Sequence, residues 1–236
     1  MSTVFITGTS KGLGKGFATY FLQEGNQVLG FSRTEDTELT AHPNFKQNNI
    51  DLEDFDAIEQ VVEKALEGIT ELDLVILNAG VLGEIKSMVD ADISNMKNVM
   101  DVNLWSNKVV LDTLFKKGIK VKQVVGISSG ASINGNKGWS GYSISKAAFN
   151  MMIKLYAAEH QETHFTALAP GLIDTGMQDY LCEKVNHEEF PSMQRLQDAR
   201  GTQAMPNGKE AGKMIAKLIP SLLNTPNGSY QDVRKL

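Results

Sequence analysis

Short apolar runs alternate with amphipathic stretches along the whole chain. Residues 3–7 form an apolar run of strand length. Phe17, Ala18, Tyr20, Phe21 and Leu22 then recur at helical spacing, and Gly25-Asn26 stop them. The alternation continues with a strand at 28–31, a strand at 45–50, a helix around 54–66 and a strand at 72–77. Two helices follow, around 93–101 and 104–116, with Asn103 at their junction. A strand at 121–127, a helix at 142–160, a short strand at 165–168, a helix at 207–218 and a strand at 228–233 complete the pattern. The run at 72–77 is apolar apart from Asp73, as expected of a strand buried on both faces. Alternating strands and helices imply an α/β fold with a parallel sheet covered on both sides. Only 176–206 breaks the rhythm. There Met177, Tyr180, Leu181, Phe190, Met193, Leu196 and Met205 are scattered in a polar background. Such a segment reads as a lid or binding loop, or as a helical insertion with ordinary packing.

Length and composition narrow the class. The chain has 236 residues, enough for one domain with a substantial core. No linker, repeat or low-complexity segment divides it. Its formal charge of −5 argues against nucleic acid or an anionic membrane surface as the main partner. The single cysteine, Cys182, permits no internal disulfide and fits a reducing, cytoplasmic setting. No run of apolar residues is long enough to span a bilayer, and no secretory signal is expected. The carboxylates Asp51, Glu53, Asp54 and Asp56 read as a helix start, not as a metal site.

Three places carry candidate chemistry. Directly after the first strand stands Gly8-Thr9-Ser10-Lys11-Gly12-Leu13-Gly14, followed by a helix and a second strand. Glycines let the backbone turn tightly and admit a pyrophosphate, while the helix N-terminus offers unpaired N–H groups to it. The second strand ends in Phe31-Ser32-Arg33-Thr34, with no carboxylate before Glu35 and Asp36. In NAD-binding units an acidic residue at this place takes the ribose 2′-hydroxyl. Here Arg33, Ser32 and Lys11 instead suit a 2′-phosphate, so the expected cofactor is NADP. Finally, Tyr142 and Lys146 stand four apart at the start of a helix and share a face. A nearby ammonium lowers a phenol's pKa towards the range of a working acid or base. Ser128 and Ser129 close the preceding strand, so a hydroxyl can join that pair in one crevice. Gly8, Arg33, Asp51, Asn78, Ser129 and Pro170 all lie at predicted strand ends and so share one rim of the sheet.

Taken together, Thr7-Gly8-x-x-x-Gly12-x-Gly14, Asn78-Ala79-Gly80, Asn103, Ser129, Tyr142-x-x-x-Lys146 and Pro170-Gly171 resemble the short-chain dehydrogenase/reductase family, over essentially the whole chain. Thr-Gly-Thr-Ser-Lys-Gly-Leu-Gly and Phe-Ser-Arg are similar to its sepiapterin reductase and benzil reductase group. The resemblance implies a single-domain Rossmann-type doubly wound sheet of seven parallel strands, and a homodimer or homotetramer. It implies that Tyr142 is the acid in carbonyl reduction. Lys146 lowers its pKa and bonds the nicotinamide ribose, Ser129 bonds the substrate oxygen, and Asn103 holds a water that links Lys146 to solvent. Gly8 to Gly14 cradle the pyrophosphate, Asp51 and Leu52 flank the adenine, and Asn78, Ala79 and Gly80 lie on the adenosine side. Pro170, Gly171, Ile173 and Thr175 complete the cofactor site, the last two at the carboxamide. Leu77 stands where many members have a second asparagine, which alters packing behind the cofactor. The expected activity is NADPH-dependent reduction of a small apolar ketone or dicarbonyl. The expected pocket wall is Val81, Leu82, Ile133, Asn134, Trp139, Leu172, Met177 and Tyr180, with a substrate loop at about 171–206. The alternatives are reduction of a 3-oxoacyl thioester, and a redox-sensing binding protein that turns NADP over little.

Overall fold

The computed structural model describes residues 1–236 and contains one seven-stranded, all-parallel sheet. The strands are β1 (Thr3–Thr7), β2 (Gln27–Ser32), β3 (Phe45–Asn49), β4 (Glu71–Leu77), β5 (Lys120–Ile127), β6 (His164–Ala169) and β7 (Ser229–Asp232). Their order is β3-β2-β1-β4-β5-β6-β7. The winding reverses between β1 and β4, and a crevice opens there beyond the strands' carboxyl ends. Strand periodicity sends alternate side chains into two separate cores. Phe5, Leu29 and Val75 pack on one face with Ile58, Val62, Leu111, Leu114 and Ile153. Val4, Ile6, Val28 and Ile76 pack on the other with Phe17, Ala211 and Ile215.

The helices are α1 (Gly12–Gln23), α2 (Thr37–Thr40), α3 (Phe55–Ala65), α4 (Ile93–Met100), α5 (Ser106–Lys116), α6 (Ser140–Glu159), α7 (Gly176–Glu183), α8 (Ser192–Ala199) and α9 (Gly208–Leu218). Side-chain caps explain several starts. Asp54 accepts from the Ala57 amide at α3, Asp92 from Ser94 and Asn95 at α4, and Asn207 forms a reciprocal capping box with Glu210 at α9. At α1 no side chain caps the helix.

The structure settles one sequence alternative, alters one junction and adds one element. The break expected at Asn103 is a wide π-turn, Asp101–Trp105, that joins α4 to α5 without interrupting the helical path. The irregular stretch is α7 and α8 with a small core of its own, where Leu181, Phe190, Met193, Leu196 and Met205 meet Leu82 and Ile85. Lastly, α2 had no counterpart in the apolar pattern. It is four residues long and is held by Asp36, which accepts from the Glu38 and Leu39 amides.

The closest helix contact in the molecule depends on glycine. A Cβ built on Gly16 would lie 2.0 Å from the Gly208 carbonyl oxygen, and one on Gly212 would lie 2.4 Å from the Gly16 carbonyl carbon. One on Gly208 would meet the Gly12 backbone at 2.4 Å. Thus α9 lies directly against α1 and backs the glycine turn that precedes it.

Candidate active site

The carboxyl ends of the strands open into one large cleft of about 1110 Å³. Nearly every site residue expected from the sequence lines it. Those present are Gly8, Ser10, Lys11, Gly12, Leu13, Ser32, Arg33, Asp51, Leu52, Asn78, Ala79, Gly80, Ser129, Tyr142, Lys146, Pro170, Gly171, Ile173 and Thr175. Thr9, Gly14 and Asn103 lie behind the wall. Thr9 is fully buried, with its hydroxyl 3.4 Å from that of Ser32. Gly14 supports the turn, since a Cβ there would stand 2.1 Å from the Gly8 carbonyl oxygen.

One end of the cleft is built from the glycine turn. Gly8 and Gly12 have φ of +77° and +57°, which a side chain would strain. Asn78 braces the turn from β4, donating through Nδ2 to the Thr7 carbonyl at 2.9 Å and the Gly8 carbonyl at 3.3 Å. The Thr7 hydroxyl in return accepts from the Asn78 and Ala79 amides. These bonds tie β1 to β4 where the crevice begins. The free N–H groups at the start of α1 face this end, with no acidic side chain in the helix's first turn. This surface fits the pyrophosphate of a dinucleotide.

The other end gathers the polar side chains of α6 and β5. Lys146 is 5% exposed, and its Nζ donates to the Ile127 carbonyl at 2.8 Å. Burial without a carboxylate partner lowers its pKa to about 8. Tyr142 does not follow the expected direction. Burial raises its pKa, and the neighbouring Ser129 hydroxyl works against that rise. The ammonium lies 5.9 Å from the phenol ring centroid and spends its short bond on Ile127, so it does not hold the phenolate. In this structure Tyr142 is a protonated phenol at neutral pH, the form an acid needs.

Asn103 is fully buried in the π-turn. Its Oδ1 accepts from the Val81 amide at 2.7 Å, and its Nδ2 donates to the Val81 carbonyl at 2.8 Å and to Ser145 Oγ at 3.0 Å. Ser145 Oγ donates to the Tyr142 carbonyl. The Asn103 amide therefore locks the segment after Gly80 to the helix that carries Tyr142.

A second brace escaped the sequence reading. Ser128 Oγ donates to Asn150 Oδ1 at 2.5 Å, Asn150 Nδ2 donates to Ser132 Oγ at 2.8 Å, and Ser132 Oγ donates to the Ser129 carbonyl at 2.7 Å. Residues 142, 146 and 150 are spaced i, i+4 and i+8, so the helical period held a signal for Asn150.

The pocket wall also needs a correction. Val81, Leu82, Trp139, Leu172, Met177 and Tyr180 line the cleft. Ile133 and Asn134 do not, because they follow a 3-10 turn at Gly130–Ser132 that directs them to solvent. Leu181 from α7 and Leu196 from α8 line it instead.

This site, on a sheet of this order, is that of a Rossmann-fold oxidoreductase, and the chain belongs to the short chain dehydrogenase family. That family's sequence profile matches residues 2–186. A benzil reductase ((S)-benzoin forming) of Bacillus cereus is 33% identical, covering 95% of each chain. One of Bacillus subtilis is 31% identical, over 100% of this chain and 99% of the relative. Among solved structures, a short chain dehydrogenase/reductase of Saccharomyces cerevisiae superposes with a TM-score of 0.85 at 26% identity, covering 98% of this chain and 96% of that one. The family uses nicotinamide dinucleotides. No helix is long and apolar enough to cross a membrane.

Proposed function

We propose that the protein is an NADPH-dependent carbonyl reductase that converts an apolar ketone or α-dicarbonyl to the alcohol. The observation that carries this reading is the meeting of Ser129, Tyr142 and Lys146 with the glycine turn in one cleft. The similarity to benzil reductases favours a diketone with aromatic groups. The substrate end agrees, since Leu82, Trp139, Leu172, Met177, Leu181 and Leu196 make it mostly apolar.

A bound nicotinamide supplies the hydride to the carbonyl carbon. Ser129 and Tyr142 orient the carbonyl by hydrogen bonds to its oxygen, and the Tyr142 Oη proton passes to that oxygen as charge develops there. Lys146, cationic below about pH 8, holds the ribose from its place beside the Ile127 carbonyl. Asn103 and Asn150 fix the helix and the loop that bring these groups together. Closure of α7 and α8 over Trp139 and Tyr142 excludes water, which gives residues 171–206 their role as the substrate region.

NADP is preferred over NAD because Lys11 and Arg33 line the cleft and have no carboxylate partner. A carrier-bound 3-oxoacyl thioester is disfavoured. A carrier needs a basic docking patch beside the site, and Lys137, the one cation between Ser129 and Tyr142, lies 5.3 Å over the Phe190 ring and 4.0 Å from Glu189. We place the protein in the cytoplasm, which suits its single buried thiol, and as a homo-oligomer through α5 and α6.

The test is reduction of benzil, other α-diketones and simple ketones, followed by NADPH and NADH consumption. Tyr142→Phe is expected to lower kcat by roughly 10³-fold while NADPH still binds. Full turnover by that variant, or none by the wild type on any carbonyl, rejects the reading.

A further inference from the structure

The chain beyond Arg33 sets a puzzle for a site that takes a 2′-phosphate. Arg33 is followed within five residues by three carboxylates, Glu35, Asp36 and Glu38. Glu38 lines the same cleft as Arg33 and Lys11. Left free, these acids would repel a dianionic phosphate at close range.

Each is engaged by a particular partner. Glu35 Oε1 accepts from Asn49 Nδ2 at 3.1 Å. Asp36 uses Oδ1 to accept the Glu38 and Leu39 amides at 3.1 Å, and its Oδ2 lies 2.7 Å from Lys15 Nζ. Glu38 Oε2 also lies 2.7 Å from Lys15 Nζ. Lys15 stands one helical turn beyond Lys11 on α1 and lines the cleft, so a single ammonium bridges both carboxylates beside the free cations. Asp36 is largely covered, with a side chain 17% exposed, so its charge is poorly screened by solvent.

We propose that Lys15 is a specificity residue that acts by neutralising Asp36 and Glu38, leaving Lys11 and Arg33 as the uncompensated charges at the 2′-phosphate end of the cleft. The inference rests on the NADP reading above and adds its cause. Preference here comes from cations of which one is committed to cancelling acids that the chain itself places beside the site. Asp36 starts α2, and Lys15 makes it compatible with a phosphate ligand.

The experiment is calorimetric titration of the full-length protein with NADP⁺ and NAD⁺, which differ only in the 2′-phosphate, at low salt. Wild type is expected to bind NADP⁺ more tightly. Lys15→Met is expected to weaken NADP⁺ by about tenfold at low salt and NAD⁺ by threefold or less, with the difference shrinking in 0.5 M salt. Lys15→Arg keeps the preference. Adding Asp36→Asn and Glu38→Gln to Lys15→Met restores it, since Asn still caps a helix. Should Lys15→Met fold poorly, the Asp36→Asn/Glu38→Gln pair with Lys15 intact is expected to tighten NADP⁺ alone. A Lys15→Met protein that keeps the wild-type preference, or loses both ligands equally, overturns the proposal and leaves the NADP reading standing. A wild type that binds both alike overturns the NADP reading itself.

Discussion

Lys146 costs the empty protein stability. Its pKa falls from 10.5 to about 8 because burial penalises the ammonium. Between those values the unfolded chain holds more protons than the folded one, so stability rises with pH there. The penalty is complete below about pH 8 and fades as pH climbs towards 10.5. Lys146→Met removes it. Urea unfolding of both proteins, without nucleotide, is expected to show the variant's relative advantage shrinking by roughly 2 kcal/mol between pH 7 and pH 10. A difference independent of pH would mean that the ammonium is not desolvated. The comparison is independent of the hydrogen bond to Ile127, which Met loses at every pH. At this scale the sequence was informative about which residues meet. The Tyr142/Lys146 spacing and the strand-end positions of Gly8, Asn78 and Ser129 placed them correctly. It was misleading about what the meeting does. Spacing puts an ammonium near a phenol but does not show that the Ile127 carbonyl, nineteen residues earlier, takes the short bond. The Asn150 brace and the Lys15 bridge were hidden for the same reason, since their partners approach only through the tertiary fold.

Among the elements, the α1/α9 contact is the most constrained. Gly12-x-x-x-Gly16 and Gly208-x-x-x-Gly212 lay small residues along one stripe of each helix, and the backbones touch where these stripes cross. Gly212→Ala puts a methyl group 2.4 Å from the Gly16 carbonyl carbon, too near for side-chain adjustment to relieve. Forcing the helices apart is expected to cost about 2–3 kcal/mol, more than the roughly 1 kcal/mol that alanine's better propensity returns. Because Gly208 abuts Gly12, the strain reaches the glycine turn before α1. Nucleotide affinity is expected to fall along with the melting temperature. Unchanged stability in a thermal melt would show that the two helices separate freely. Gly25→Ala is an instructive contrast, since a Cβ there meets nothing within 4 Å and only its φ of +78° resists. Both glycine pairs were visible in the sequence, but their reading as a helix stripe needs the knowledge that α9 crosses α1. The central strands were legible because runs such as Leu74 to Leu77 and Val124 to Ile127 carry no charged side chain. For α7 and α8 the pattern left two readings open, a binding loop and a helical insertion, since α8 presents only Met193 and Leu196 to a core in a polar segment. The π-turn was taken for a break because a wide turn shifts the helical phase, as a short linker would.

The whole molecule leaves one apolar face beside the cleft's opposite side, along α5 and α6. Trp105, Met151 and Leu155 are 44%, 55% and 54% exposed there, around a groove of about 700 Å³. Polar bonds and ring stacking cross the groove. The Tyr156 hydroxyl bonds Asp112, Lys108 pairs with Asp112 at 2.5 Å, and Phe115 stacks on His160 at 3.9 Å between ring centroids. Clustered large apolar side chains on an ordered two-helix surface, rimmed by Lys108, Lys116 and Glu159, suit a self-complementary contact in which a second copy brings the same face. Met151 and Leu155 are one helical turn apart, so Met151→Glu/Leu155→Glu sets four carboxylates against one another across a two-fold axis. Light scattering behind a sizing column is expected to show a dimer or tetramer for the wild type and a smaller species for the double variant. A wild type that runs as a monomer at tens of micromolar rejects the face as an interface, and an unchanged assembly in the variant moves the contact elsewhere. The consequence for the site follows from α6. It carries Tyr142 and Lys146 in its first turns and Met151 and Leu155 beyond them, so pairing at one end would steady Tyr142 and Lys146 at the other. The dissociated variant is therefore expected to lose kcat before it loses nucleotide affinity, because the glycine turn is held by α1 and α9 on the far side of the sheet.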